Sequence, residues 1–120
     1  MPYDPQNVFA RILRDEIPSD RVYEDEEFVA FRDIAPAAPT HIVVVPRPVD
    51  GAAPTAPAAL EATDAAMVGR LVLTATRIAA QEGLVEGGYR LVMNSGEHAG
   101  QTVPHLHLHI LGGARLGPIA

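Results

Sequence analysis

Three histidines alternate with aliphatic residues near the end of the chain, in the run His105-Leu106-His107-Leu108-His109-Ile110-Leu111. Alternation is the period of a β-strand, whose successive side chains point to opposite faces. The imidazoles would then share one face, with neighbours roughly 6.6–6.8 Å apart, and Leu106, Leu108 and Ile110 would face a core. Each imidazole brings two ring nitrogens that need partners. The pattern predicts a polar site that suits a metal ion or a phosphoryl group.

His107, the middle histidine, is the best candidate for a nucleophile. An unperturbed imidazole is mostly neutral at pH 7 and offers a free lone pair, and unlike serine it needs no separate base. One neighbouring imidazole can fix its tautomer while its other side faces a substrate. A three-histidine metal site is the alternative hypothesis, because His-x-His on a strand is a known ligand arrangement.

A polar loop from Asn94 to Thr102 precedes the histidines. Its glycines allow close approach of the backbone, and its Asn, Ser, Gln and Thr side chains supply neutral donors. Such a loop could wrap the charged oxygens of a phosphate. His98, in the same loop, is expected to be a solvated side chain without a role in the site.

The elements predicted around these residues are a helix, three strands, a long helix and two strands. Their ranges are Val8–Asp15 (with Asn7 as N-cap), Arg21–Glu24, Phe28–Arg32, Thr40–Pro46, Leu60–Glu82 (with Gly83 as C-terminal cap), Tyr89–Asn94, and a last strand from Val103 or His105 to Leu111. Short turns favour an antiparallel sheet with the long helix on one face, an α+β domain. Met1 to Gln6 is predicted to be a loose arm, and the Pro-rich stretch Arg47–Pro57 an irregular surface connection.

Composition narrows the class of protein. A chain of 120 residues fits a single domain, 1–120. With no cysteine there is no disulfide or thiolate metal site, which agrees with a reducing cytoplasm. The net charge of −6 argues against a general nucleic-acid binder, and no apolar run is long enough to suggest a membrane span.

The chain resembles the histidine triad (HIT) family, and within it the Hint branch of nucleotide-binding proteins. The family motif is His-φ-His-φ-His-φ-φ with φ apolar, and His105 to Leu111 matches it at every position. Similar segments run over Phe9–Pro18, Phe31–His41, Gly88–Asn94, Gly100–Val103 and Leu111–Gly113. The resemblance implies a HIT-like fold, with a five-stranded antiparallel sheet, one short helix and one long helix. It also implies a homodimer, formed through the long helix and the Tyr89–Asn94 strand, in which two sheets join into one of ten strands.

The function implied by the resemblance is binding of purine nucleoside monophosphates and hydrolysis of the P–N bond of nucleoside phosphoramidates, without a cofactor. His107 would attack the α-phosphorus and form a nucleotidyl-histidine. His105 and His109 would orient it and share its proton, and His41 would extend the network. Activity should fall at low pH as these imidazoles protonate.

The implied nucleotide contacts fall into three groups. Asn94 and Thr102 match phosphate contacts, in a loop that also offers Gly100 and Gln101, and Asp33 matches the residue that accepts from the ribose hydroxyls. The residues matching the apolar base pocket are Val8, Phe9, Ile12, Ile17, Phe31 and Ile34, and Arg32 beside them is counted among the nucleotide contacts.

The chain departs from the family pattern in the first helix and just before the histidines. Some bacterial members carry Cys-x-x-Cys in the first helix as part of a zinc site, whereas this chain has Asn7-Val8-Phe9-Ala10, so no such zinc is predicted. Pro104 stands where tyrosine is common in the Hint branch.

Two other functions are alternative hypotheses. One is a dinucleoside polyphosphate hydrolase of the Fhit branch, against which Leu111-Gly112-Gly113 argues. A nucleotide-sensing or scaffold protein with incidental turnover is the other.

Overall fold

A five-stranded antiparallel sheet with a helix against each face forms the body of the protein in a computed structural model that describes residues 2–119. Met1 of the predicted arm lies outside the described residues. The elements are α1 (Val8–Leu13), β1 (Arg21–Glu24), β2 (Phe28–Arg32), β3 (Thr40–Pro46), α2 (Ala65–Gln81), β4 (Tyr89–Val92) and β5 (Leu108–Gly112). The strands lie in the order β1-β2-β3-β5-β4, and each neighbouring pair is antiparallel. The predicted α+β architecture is confirmed, and among residues 2–119 no helix is long and apolar enough to cross a membrane.

Strand β3 is the centre of the sheet and is buried on both faces. Its β-branched run extends side chains alternately to the two sides. Ile42 and Val44 join the larger core cluster under α2, whereas Val43 and Val45 join a smaller one under α1. A continuous apolar strand suits this position because neither face of the sheet is left to solvent.

The caps of the two helices follow the sequence, but both helices are shorter than predicted. The Asn7 side chain accepts from the Ala10 amide at 2.9 Å, as expected for an N-cap. Helix α1 stops at Leu13 because Asp15 adopts a left-handed conformation with φ of 62°. Helix α2 starts at Ala65 rather than Leu60, after two short 3-10 turns over 57–59 and 62–64. Its C-terminal cap at Gly83 is confirmed, with φ of 75°.

Both C-terminal strands are also shorter than predicted, and this changes the histidine site. β4 ends at Val92, not Asn94, and β5 begins at Leu108, so His105 and His107 precede the strand instead of belonging to it. The last pair of the β3–β5 ladder is Val44 with Leu108, and two residues later β3 ends at Pro46, which has no N–H to offer. The predicted single strand face carrying three evenly spaced imidazoles is therefore wrong. The apolar half of the pattern is confirmed, since Leu106, Leu108 and Ile110 all lie in the α2-side core.

The Pro-rich stretch packs against the histidine segment instead of serving only as a surface connection. The carbonyl of Pro54 accepts from the Leu106 amide at 2.8 Å, and that of Thr55 accepts from the Gln101 side chain at 2.7 Å. Just beyond the stretch, the amide of Ala58 donates to the Ser95 hydroxyl at 3.1 Å. This segment therefore holds both the histidine turn and the polar loop in place.

Candidate active site

His41 and His109 are brought together by the register of the two central strands. His41 pairs with Leu111, and Val43 pairs with His109, so the two histidines are diagonal neighbours on the α1 face of the sheet. Nε2 of His41 lies 2.9 Å from Nδ1 of His109. The predicted contact between His41 and the triad is thus formed.

The backbone determines which nitrogen of His41 carries the proton. The amide of Ala37 donates to Nδ1 of His41 at 3.0 Å, so in the neutral ring the proton is on Nε2. That N–H then donates to Nδ1 of His109. By the same reasoning, neutral His109 carries its proton on Nε2, which is free to donate to a ligand.

The same logic fixes His105 and His107. Nε2 of His105 donates to the carbonyl oxygen of Pro46 at 2.8 Å, and its Nδ1 accepts from the Tyr3 hydroxyl at 2.9 Å. Nδ1 of His107 donates to the carbonyl oxygen of His105 at 2.6 Å. The lone pair of His107 is therefore on Nε2. The tautomer is set by a backbone carbonyl, and not by the neighbouring imidazole that the sequence suggested.

Nε2 of His107 is also the accessible nitrogen. Among residues 2–119 it has no hydrogen-bond partner, and no fully buried side-chain nitrogen or oxygen lacks one. This nitrogen must therefore reach the solvent side of the site. The rings of Phe9 and His109 flank it at centroid distances of 4.8 and 5.0 Å, both edge-on.

Burial keeps all four imidazoles uncharged. Desolvation lowers the pKa of His105 and of His109 to about 4 in each case. Desolvation also lowers the pKa of His107 and of His41, although the Asp33 carboxylate opposes the shift in both. At neutral pH, the site therefore presents lone pairs and N–H groups rather than positive charge.

A metal ion is less well matched to these residues. His105 has both ring nitrogens engaged, so the motif cannot supply three free ligands. Asp33, His41 and His109 do each place a possible ligand atom within 4.8 Å of the others. However, Nε2 of His41 carries a proton held toward His109, which leaves a hydrogen-bonded pair in place of two lone pairs.

Asp33 lies at the edge of the histidine cluster. Its Oδ1 accepts from the Ala35 amide at 2.8 Å, and its Oδ2 lies 3.6 Å from Nε2 of His41. The carboxylate retains one quarter of its exposure. Oδ2 is thus directed to the site and has room to accept from a ligand.

The polar loop is held in shape by Gln101, which the sequence predicts to be a nucleotide contact. The Gln101 side chain accepts from the Gly96 amide at 2.8 Å and donates to the carbonyls of Thr55 and Val103. Gly100 has φ of 84°, which permits the tight turn before it. Thr102 is exposed and Asn94 half-buried, and neither side chain has a hydrogen-bond partner among the described residues. These two remain free for a ligand.

The apolar residues predicted around the base divide into packed and exposed members. Ile12 and Phe31 belong to the α1-side core, with Phe9 and Ile17 packed against it. Phe9 links this core to the site, since its ring contacts both Phe31 and His107. Val8 and Ile34 are exposed, Ile34 almost completely at 97%.

Arg32 is not brought to the histidines. Strand alternation places it on the α2 face of the sheet, where its guanidinium donates to Glu82 at 2.9 Å and lies 3.6 Å from Asp20. A direct contact between this side chain and a nucleotide on the opposite face is inconsistent with these ion pairs.

Sequence reasoning missed the groups that fix the tautomers. The amide of Ala37 and the carbonyl of Pro46 are backbone groups, which leave no trace in a residue pattern. Tyr3 lies in the arm that the sequence predicts to be loose, yet its hydroxyl is bonded to His105, 102 positions away. In the sequence, the one sign of this contact is that the short arm contains an aromatic residue.

Comparison with known proteins agrees with this geometry. A HIT domain model matches residues 14–116. The chain is 47% identical to purine nucleoside phosphoramidase of Escherichia coli K12, over 95% of this chain and 92% of that one. It is 42% identical to adenylylsulfatase HINT1 of Arabidopsis thaliana, over 96% of this chain and 76% of that one. A HIT family hydrolase structure from Clostridium thermocellum superposes with a TM-score of 0.86, at 39% identity over 94% of this chain and 95% of that one.

The family match includes all five strands, helix α2 and the histidine segment, which lie within residues 14–116. On these matches, the chain belongs to the HIT domain family and to its Hint branch.

Proposed function

We propose that this protein hydrolyses purine nucleoside 5′-phosphoramidates by nucleotidyl transfer to His107. The observation that carries the proposal is the hydrogen bond from Nδ1 of His107 to the His105 carbonyl. It places the lone pair on the one nitrogen that is open to a substrate. The names of the E. coli and Arabidopsis relatives support the same substrate class.

In the first step, Nε2 of His107 bonds to the α-phosphorus as the P–N bond breaks, and the leaving amine takes up a proton. The proton for the amine comes from solvent, while the N–H on Nε2 of neutral His109 donates a hydrogen bond to a phosphoryl oxygen and keeps its own proton. Positive charge develops on the His107 ring, and the bond from Nδ1–H to the carbonyl of His105 strengthens as it does. The carbonyl thus stabilises the intermediate more than the resting enzyme, which is the requirement for catalysis.

In the second step, a water oxygen bonds to phosphorus and the bond to Nε2 of His107 breaks. The electron pair returns to the imidazole, the water proton leaves to solvent, and the nucleoside monophosphate is released. The ring is neutral again and ready for a second turnover. No metal ion takes part in either step.

For nucleotide contacts we propose a smaller set than the sequence suggested. Thr102 and Asn94 would donate to phosphate oxygens, Asp33 would accept from the ribose hydroxyls, and Phe9 would contact the base. The exposed Ile34 would cover the base from the outer side. Gln101 and Gly100 act by shaping the loop.

We also propose that the protein is a homodimer. In the sheet order, β4 is an edge strand whose outer side is unpaired within the described chain. Leu73 on α2 and Val85 before β4 are large apolar side chains, 58% and 63% exposed. A second copy pairing along β4 would give a ten-stranded sheet and cover part of this surface.

The net charge of −6 is unfavourable for a nucleic-acid partner, so none is proposed. A cytoplasmic location stays a prediction from the cysteine-free composition.

Steady-state hydrolysis of a fluorogenic adenosine 5′-phosphoramidate, in EDTA, tests the function. We expect turnover by the wild type and by His98→Ala, whose imidazole is in an exposed part of the loop, and a loss of at least a thousandfold in His107→Ala. Wild-type rates in His107→Ala would overturn the proposal. Faster cleavage of dinucleoside tri- or tetraphosphates than of the phosphoramidate would favour a polyphosphate hydrolase instead.

A further inference from the structure

The N-terminal arm lies against the histidine segment, and Tyr3 is its point of contact. The hydroxyl of Tyr3 is 2.9 Å from Nδ1 of His105, and the two rings meet edge-on at a centroid distance of 5.5 Å. His105 is completely buried. The arm therefore reaches a side chain that no solvent molecule reaches.

The arm is held in this position by helix α1. The Asn7 side chain donates to the carbonyl of Asp4 at 2.9 Å, and the Arg14 guanidinium donates to that of Pro5 at 2.7 Å. Because Asn7 also caps the helix, the arm and α1 are fixed to each other by the same residue. Tyr3 is consequently a placed side chain and not the end of a free tail.

Tyr3 and the nucleophile are joined through His105, whose ring is bonded to Tyr3 and whose backbone carbonyl is bonded to His107. The hydroxyl donates to Nδ1 of His105, Nε2 of His105 donates to Pro46, and the His105 carbonyl accepts from Nδ1 of His107. With both ring nitrogens occupied, the His105 ring cannot rotate or change tautomer without losing a bond. Its carbonyl, which sets the tautomer of His107, is held as a result.

We propose that Tyr3 is a positioning residue of the active site, which acts through His105 to hold the carbonyl that orients His107. The inference rests on the proposed function for its kinetic consequence but not for its structural one. Removing the hydroxyl leaves Nδ1 of His105 with no donor among the described residues. The imidazole then either takes up a proton there or moves to find another partner, and in both cases the His107 hydrogen bond loosens.

The test uses Tyr3→Phe in the full chain, with Tyr23→Phe as the matched control. Phenylalanine keeps the ring contact and removes only the hydroxyl. Tyr23, on β1, also donates its hydroxyl, to Asp25 at 2.6 Å, so the control removes a comparable bond away from the site. Tyr3→Ala, which removes the ring as well, serves as the second variant.

The first readout is the ¹⁵N spectrum of the imidazoles as a function of pH, which needs no substrate. The titratable and charged groups facing the pair are His107 on the same segment, Asp4 and Arg14 beside Tyr3, and Arg47, which lines the same cavity as Tyr3. None of them is changed by the substitution. In the wild type and in Tyr23→Phe, we expect His105 to stay in the Nε2–H form as the pH falls below 6. In Tyr3→Phe and Tyr3→Ala, protonation of His105 should move to higher pH.

The second readout is the split between kcat and KM on the fluorogenic phosphoramidate. Tyr3→Phe should lower kcat about tenfold with KM changed less than twofold, since the hydroxyl orients the nucleophile and does not touch substrate. An unchanged His105 spectrum in both Tyr3 variants, or kcat equal to that of Tyr23→Phe, would overturn the inference. If the wild type shows no turnover, the proposed function fails, while a shifted His105 titration still supports the role of Tyr3.

Discussion

Nδ1 of His107 lies 2.6 Å from the carbonyl oxygen of His105, two residues earlier in the chain. The contact exists because β5 begins only at Leu108, so the backbone before it is free to turn a carbonyl toward the following histidine. In a regular strand, that carbonyl would point to a neighbouring strand. The departure from strand geometry is thus what assigns the tautomer of the nucleophile.

The pH dependence of turnover should have its acidic limb below the ordinary imidazole pKa. Only neutral His107 can attack, and burial lowers the pKa of His107, so the active form persists to more acidic pH than for an exposed histidine. We expect kcat/KM to be level from pH 8 to about 6.5 and to fall below that range. The check is kcat/KM measured across pH 4.5–8.5 in buffers of constant ionic strength, and a midpoint at or above 6.5 would be inconsistent with the buried site.

His41 and His109 should be energetically coupled in catalysis. Their ring nitrogens are 2.9 Å apart, and His41 donates, so His41→Ala frees His109 to adopt the other tautomer. We expect kcat/KM to fall roughly ten- to a hundredfold in each single alanine variant. The fall in the double variant should be much smaller than the product of the two single falls. Full multiplicativity in this double-mutant cycle would show that the two imidazoles act independently.

The fold follows from the sequence where backbone propensity and burial agree. Strands β1, β2 and β3 have the bounds that their apolar and β-branched runs predict, and Asn7 and Gly83 form the caps expected of them. The predicted bounds are wrong where contacts with distant parts of the chain determine where an element begins or ends. The alternating run from His105 to Leu111 has the pattern of one long strand, but its pairing with β3 ends at Val44 and Leu108, so only the second half of the run is paired.

The candidate site shows the same division. The clustering of the histidines and Asp33 could be anticipated from residue types and the family motif. The tautomers could not, since they depend on the carbonyls of His105 and Pro46 and on the Ala37 amide. Arg32 shows the effect of strand alternation: it is next to Asp33 in the sequence, yet its side chain lies on the other face of the sheet, paired with Glu82.

Gln101 should affect the loop more than it affects chemistry. Its amide makes three hydrogen bonds that connect Gly96, Val103 and the Pro-rich stretch. Gln101→Ala should lower the free energy of unfolding by about 1–3 kcal/mol and raise KM for the phosphoramidate. The checks are urea unfolding and amide exchange over residues 95–103, compared with Gln81→Ala at the exposed end of α2. If the amides of residues 95–103 exchange at the same rate in Gln101→Ala as in Gln81→Ala, the Gln101 hydrogen bonds do not stabilise the loop.

Asp33 should distinguish ribonucleotides from analogues without ribose hydroxyls. Asp33→Asn keeps an oxygen for the Ala35 amide and removes the charged acceptor, so the local turn is retained. We expect the Kd for AMP to rise about tenfold, and that for 2′,3′-dideoxy-AMP to change less than threefold. Calorimetric titration of both ligands measures this, and equal losses would remove Asp33 from the ribose contact.

The most direct test is to trap the intermediate on the nucleophile. Wild-type protein is mixed with an adenosine 5′-phosphoramidate, quenched in alkali after a few milliseconds because a phosphorylated imidazole is acid-labile, and analysed by intact-mass and peptide mass spectrometry. The geometry predicts one adenylyl group per chain, located on His107 and absent from His107→Ala. An adenylyl group on any other residue, or steady turnover by His107→Ala, would contradict nucleophilic catalysis by His107.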